Sequence, residues 1–219
     1  LEASLEWILR SLDNQGHTCL PVDQLIGRLD DLLQTDVDDI ANFIESLLEQ
    51  GALYSTYYED ILYIYPPEMY VSEVEGVHYT REFLLEADPI ALDISSFIEK
   101  FERDNYITFG DAQKEAIQLS FFEKFSLITG GPGTGKTTII KALVKGFQLG
   151  GLGRIILCAP TGRAAKRLTE ATEFEATTIH RLLVPVQGSD SYDFTKNEDD
   201  PLDIDVIIID EASMLNVRL

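Results

Sequence analysis

The chain has 219 residues, 45% of them apolar and 25% charged, an ordinary globular balance that excludes a disordered acidic tail and suits one large or two small domains. Its 17 Lys and Arg against 38 Asp and Glu give a net charge of −21, and no apolar run approaches the ~18 residues that span a bilayer, so no membrane partner is expected and a cytoplasmic protein is. Cys19 and Cys158 have no ligand-spaced neighbours, which predicts free thiols and no metal framework, and the missing initiator Met with the stop in mid-pattern at Leu219 predicts a piece of a longer protein.

From the first residue, Leu5, Ile8, Leu9 and Leu12 follow the i, i+3, i+4, i+7 spacing of an amphipathic helix that stops near Gly16. Leu25, Ile26, Leu29, Leu32 and Leu33 repeat the pattern after Pro21, as do Ile40, Phe43, Ile44, Leu47 and Leu48 before Gly51, with Asp36 or Asp38 as N-cap. The runs Leu53–Tyr58 and Ile61–Tyr65, parted by Glu59-Asp60 and closed by Pro66-Pro67, predict a β-hairpin. Three helices and a hairpin resemble a winged-helix module.

Its charge argues against duplex binding. Residues 1–104 hold 23 acids and 5 bases, whereas residues 105–219 hold 15 and 12, a shift that predicts a domain boundary near Asp104. Between Arg28 and Arg81 there is no Lys or Arg, and a field of that sign repels phosphate, so the acidic 1–104 module is read as a structural or protein-contact element with a possible protein partner. Tyr54, Tyr57, Tyr58, Tyr63, Tyr65 and Tyr70 are read as packing residues rather than base-stacking ones. A helical stretch, Ile90 to Phe101, leads into the second segment.

In that segment the apolar run Phe125–Thr129 predicts a strand. It precedes Gly130-Gly131-Pro132-Gly133-Thr134-Gly135-Lys136-Thr137-Thr138 and a helix over Ile139 to Phe147, so G-x-x-x-x-G-K-[ST] stands in a strand–loop–helix context. Glycines let the backbone wrap phosphates and the helix N-terminus points N–H groups at the anion, which assigns Gly131 through Thr138 to a nucleotide. Lys136 is expected on the β- and γ-phosphate oxygens and Thr137 on Mg²⁺. Val206-Ile207-Ile208-Ile209 predicts a strand buried on both faces that ends in Asp210, the second magnesium ligand beside Thr137, and Glu211, the general base toward water. Arg154–Ala159 predicts a further strand, which makes the fold α/β with a parallel sheet, and Gln187–Asp203 reads as a mobile loop.

After the middle strand, Thr161, Gly162 and Arg163, with Lys166 and Arg167, are suited to grip a phosphodiester or else form a solvated helix face. His180, in a second polar turn, reads either as a contact to a strand of DNA or as a cap or packing residue.

Gly-Gly-Pro-Gly-Thr-Gly-Lys-Thr-Thr at 130–138, Ala-Pro-Thr-Gly-Arg-Ala-Ala-Lys-Arg-Leu at 159–168, Thr-Ile-His-Arg-Leu-Leu at 178–183 and Asp-Glu-Ala-Ser-Met at 210–214 resemble motifs I, Ia, its follower and II of superfamily-one DNA helicases, with the RecD-like branch, kin of the exodeoxyribonuclease V alpha subunit, the most similar. Gln113, upstream of the loop, matches the family's adenine-reading glutamine. The resemblance implies a P-loop NTPase (RecA-like) lobe at about residues 105–219, truncated after motif II, whose parallel sheet is incomplete. It also implies an ATP- and Mg²⁺-dependent motor that moves 5′ to 3′ on single-stranded DNA and unwinds duplex. Without the second lobe's arginines, residues 1–219 are expected to bind ATP–Mg²⁺ weakly and not to unwind. The helicase part of a conjugative relaxase and an AAA-type assembly ATPase are the competing readings; the first needs a histidine cluster, whereas His17, His78 and His180 are scattered.

Overall fold

A computed structural model describes residues 1–34, 36–84, 92–186, 188 and 193–219, with backbone alone at positions 13, 14 and 82. They divide into two units, residues 1–80 with 216–219, and residues 81–215.

In the first unit the three predicted helices form as α1 (Glu2–Asn14), α2 (Val22–Leu33) and α3 (Val37–Glu49). Asp36 is the N-cap of α3, its side chain accepting the Asp38 N–H at 2.9 Å. A two-residue strand β1 (Leu20–Pro21), too short to leave a period in the sequence, joins the hairpin strands β2 (Tyr54–Tyr58) and β3 (Ile61–Tyr65) in an antiparallel sheet ordered β1-β3-β2. Glu59 and Asp60 both take positive φ, +47° and +62°, which reverses the chain within two residues. One core gathers Ile8 and Leu12 from α1, Leu25 and Leu29 from α2, Ile40 and Ile44 from α3 and Ile64 from β3. Each such burial is worth about 1.5–3 kcal/mol. The order is helix–strand–helix–helix–strand–strand, in which the three helices and the hairpin are those that the sequence suggests and β1 is additional. An 18-residue helix α4 (Pro67–Leu84), started by a proline at its first position, was not signalled because Val71, Val74 and Val77 are exposed and draw no core-facing stripe.

The second unit opens with α5 (Ile94–Asn105), whose N-cap Asp93 accepts the Ser96 N–H at 3.2 Å and its hydroxyl at 2.7 Å. Those two bonds hold the Asp93 carboxyl below its ordinary range. Ile90, at the start of the stretch predicted helical, lies outside the described residues. The composition shift at Asp104 falls inside α5, whereas the units divide at Arg81, because Ile94, Phe97, Ile98 and Phe101 pack with Phe121 and Phe147. Charge marks a surface; the apolar face decides which core a helix joins.

Next come α6 (Asp111–Phe122), α7 (Lys136–Leu149), β4 (Ile155–Ala159), α8 (Gly162–Thr172), β5 (Ala176–Thr178), α9 (Ile179–Leu183) and β6 (Val206–Ile209). The sheet is parallel and ordered β5-β4-β6, with Leu157 opposite Ala176 and Ile155 opposite Val206. α7 is apolar on two sides: Ile139, Ala142, Leu143 and Phe147 face the phenylalanine cluster, and Ile140 and Val144 face Leu157 and Leu168. Gly146 makes this possible, since a Cβ there would lie 2.3 Å from Phe121 Cζ.

Two sequence expectations fail. Phe125–Thr129 forms no strand; Leu127 is 73% exposed, and an apolar run becomes a strand only where a neighbour takes its backbone hydrogen bonds. β6 is not buried on both faces: it ends the sheet, Val206 and Ile208 turn inward, and Ile207 and Ile209 are exposed. Of the stretch read as a mobile loop, residues 187 and 189–192 lie outside the described residues. Its remainder is bonded: Pro185 bridges Phe194, Lys196 pairs with Asp200 at 2.8 Å, and Asn197 Oδ1 accepts the Asp199 and Asp200 N–H groups.

Candidate nucleotide-binding site

The loop over residues 130–135 is shaped by positions where a side chain does not fit. Gly133 and Gly135 take φ of +75° and +81°, and a Cβ at Gly135 would sit 2.6 Å from Gln113 Nε2, one at Gly130 2.7 Å from Thr134 Oγ1. Thr134 Oγ1 closes the turn by donating to the Gly131 carbonyl at 2.9 Å. The Lys136 ammonium folds back over the loop and donates to the Gly130 and Gly131 carbonyls, the latter at 2.9 Å. α7 starts at Lys136 with a glycine cap, no side-chain cap bond and no acid in its first turn. Its positive end, carrying the N–H groups of Lys136, Thr137 and Thr138, is therefore left for an anion.

Gln113 is wired into the same loop. Its Oε1 accepts the Gly110 N–H at 2.8 Å, and its Nε2 donates to the Thr134 carbonyl at 2.8 Å, which ties the start of α6 to the loop 21 residues later. The amide keeps one N–H and one lone pair for a further partner. The turn before Gln113 is pinned from behind: Glu102 accepts the Phe109 N–H at 2.7 Å and pairs with Lys114 at 3.1 Å. Those contacts, the Phe109 bond first, hold the Glu102 carboxyl below the usual range.

The parallel strands bring the remaining candidates to one edge. Thr161 follows β4 and serves as N-cap of α8, its Oγ1 accepting the Ala164 N–H at 3.2 Å, while Gly162, Arg163, Lys166 and Arg167 are exposed along that helix. His180, just past β5, is exposed with its ring edge-on to Phe194 at 5.8 Å. Asp210 ends β6; its N–H donates to the Cys158 carbonyl at 2.9 Å and its Oδ1 accepts the Glu211 N–H at 3.0 Å, with Glu211 at φ +55°. Hydrogen bonds thus unite Gln113, Gly130, Gly131, Thr134 and Lys136, whereas Asp210 and Glu211 form a separate set fastened to β4. Next to that fastening, burial pushes the Cys158 thiol up to about 11.

The sequence understated Gly130 and Gly110. Gly130 gives its carbonyl to Lys136, and Gly110 gives its N–H to Gln113. The motif spacing fixes Gly130 as the opener of the loop, but nothing in it reveals these backbone roles. Among the described residues no group of three or more His, Cys, Asp and Glu gathers to hold a metal, and no helix is long and apolar enough to cross a membrane.

Residues 113–219 match the family described as AAA domain. The ATP-dependent RecD2 DNA helicase of Deinococcus radiodurans is 46% identical over 93 residues, which is 42% of this chain and 12% of that protein. The RecBCD enzyme subunit RecD of Mycolicibacterium smegmatis is 36% identical over 131 residues, 50% of this chain and 24% of the relative. The same subunit of Haemophilus influenzae is 36% identical over 134 residues, 50% and 20% respectively. The chain therefore spans no more than 24% of the length of these relatives. A glycine cradle closed by its own lysine, followed by an acidic pair at the end of a parallel strand, agrees with these likenesses: residues 113–219, about half of the chain, are similar to an AAA-type P-loop domain, and 42% to 50% of the chain is similar to RecD-like proteins.

Proposed function

We propose that the chain is the N-terminal part of an ATP-dependent DNA helicase working in the cytoplasm, with the second unit coupling ATP hydrolysis to movement on single-stranded DNA, 5′ to 3′ as the RecD-like resemblance implies. The observation that carries the reading is the loop over 130–136, shaped for a polyphosphate, in a chain that is 46% identical over 93 residues to an ATP-dependent RecD2 DNA helicase. In this reading Lys136 leaves the Gly130 and Gly131 carbonyls for phosphate oxygens. The free N–H and lone pair of Gln113 take adenine, and Glu211 orients the attacking water and holds its proton.

Thr137 and Asp210 supply one hydroxyl and one carboxylate, a donor set that fits an ion retaining water and phosphate ligands. Bound there, Mg²⁺ would neutralise charge on the β- and γ-phosphates. Thr161, Gly162, Arg163, Lys166 and His180 are assigned to the DNA backbone, at the same sheet edge. The first unit, acidic and without a Lys or Arg from Leu29 to Thr80, is assigned to protein contact rather than to DNA.

The test is binding of a fluorescent ATP analogue to residues 1–219 with Mg²⁺, and hydrolysis by a chain extended to the length of its relatives, with and without single-stranded DNA. Lys136→Ala is expected to lower binding at least about tenfold, the scale of one lost charge-assisted contact. Hydrolysis is expected to rise with DNA and to vanish in Glu211→Gln. Hydrolysis indifferent to DNA would overturn the motor in favour of an assembly ATPase.

A further inference from the structure

The hairpin of the first unit leaves an edge and a face without a described cover. β2 lies at the end of the β1-β3-β2 sheet, paired on one side only, and all five of its residues are exposed. Its register with β3 is unbroken, from Tyr54 opposite Tyr65 to Tyr58 opposite Ile61. Sheet edges are ordinarily blunted by a lysine, a proline or a bulge, and Tyr54-Ser55-Thr56-Tyr57-Tyr58 has none of these.

Alternation puts Ile64 and Leu62 on the core side, and Tyr54, Thr56, Tyr58, Ile61 and Tyr63 on the other. Near Tyr54 that outer side is closed: Tyr70 stacks on Tyr54 at 4.8 Å and meets Tyr65 edge-on at 5.5 Å. Toward the tip it is open, with Tyr58 64% and Ile61 46% exposed. The segment that carries the hairpin has charge of one sign. From Leu29 to Thr80 there are 12 acids and no Lys or Arg, and Glu59 and Asp60 stand at the tip in the left-handed conformation that Asn-Gly would adopt with less strain.

We propose that this tyrosine-rich edge is the docking site of a basic, extended protein segment, which adds as a strand beside β2 and lays Arg or Lys side chains over Tyr58 and toward Glu59 and Asp60. Strand addition takes its affinity from the backbone and its specificity from alternate side chains. Aromatic faces and carboxylates both attract cations, so the face selects a guanidinium or ammonium, and the same field turns nucleic acid away. The inference rests on reading the first unit as a protein-contact module.

The test uses the 219-residue chain and a fluorescein-labelled peptide of about ten residues that alternates Arg with Val, the length of a strand. Its Glu–Val counterpart and a short DNA duplex are the comparisons, and anisotropy is read near 0.15 M salt, where exposed charges beyond ~8 Å are screened. The Arg–Val peptide is expected to bind and the other two to stay free. Tyr58→Ser is expected to weaken the peptide about fivefold, the scale of an exposed cation–π contact, and Ile61→Lys by more than that, both with an unchanged melting curve. No binding of the Arg–Val peptide overturns the proposal. So does equal binding by wild type, Tyr58→Ser and Ile61→Lys, which would mean attraction by net charge alone. Either result leaves the protein-contact reading standing, whereas binding of the duplex would overturn both.

Discussion

In the first unit an antiparallel sheet lays Ile64 into one core with α1, α2 and α3, and its exposed edge strand carries Tyr54, Tyr57 and Tyr58. In the second unit a parallel sheet ends on β6 with Ile207 and Ile209 in solvent, and the buried residues fall into three clusters, two of which draw on α7. In the first unit the edge strand β2 stands exposed beside that unit's core. In the second the chemistry stands at the start of the most buried helix, so packing and site are one problem: whatever moves α7 moves Lys136.

Substitutions can test whether the two units answer separately. Ile64→Ala, which empties a fully buried position, is expected to cost about 2–5 kcal/mol and to melt the first unit while nucleotide binding persists; loss of both together in a thermal melt followed by ATP-analogue fluorescence would erase the distinction. Gly146→Val drives a side chain into Phe121 and Phe97, so a loss of about 1–3 kcal/mol should be accompanied by weaker nucleotide binding, read in the same experiment.

Replacing Glu59-Asp60 by Asn-Gly relieves two left-handed residues and is expected to raise the stability of the first unit by roughly 1 kcal/mol, measured by urea denaturation. The smallest effect is electrostatic. Arg154 donates to Asp205, which also accepts the Gly153 and Arg154 N–H groups at 3.1 and 2.9 Å, and Asp203 pairs with the same guanidinium. The Asp205 carboxyl is thereby held below its ordinary range. A depressed carboxyl stabilises the fold above its unfolded value of about 4 and ceases to do so as pH falls through its folded value. Melting temperatures of wild type and Arg154→Gln should therefore converge toward the acid end, and parallel curves would discount the pair, which solvent already weakens.

Legibility in the sequence followed the range of each signal. α1, α2 and α3 were readable because their apolar spacing is local and their cores lie on one side. α4 was not, because Val71, Val74 and Val77 face solvent, and β1 and β5 are two and three residues long, below any period. Phe125–Thr129 looked like a strand because composition reports preference and not the presence of a neighbour. The glycine loop and Lys136 could be picked out because a phosphate cradle needs contiguous residues. The bond from Gln113 to the Thr134 carbonyl spans 21 residues and one backbone atom, which no side-chain pattern encodes.

The lysine folded onto Gly130 and Gly131 has a thermodynamic consequence. An anion arriving at this loop does not meet a bare charge; it exchanges with two carbonyls already bonded to the ammonium, so the heat of association is a difference between two sets of hydrogen bonds. Selectivity for a polyphosphate over a smaller anion then depends on how many backbone N–H groups the ligand reaches at once, and the positive charge works as a threshold that weak anions fail to cross.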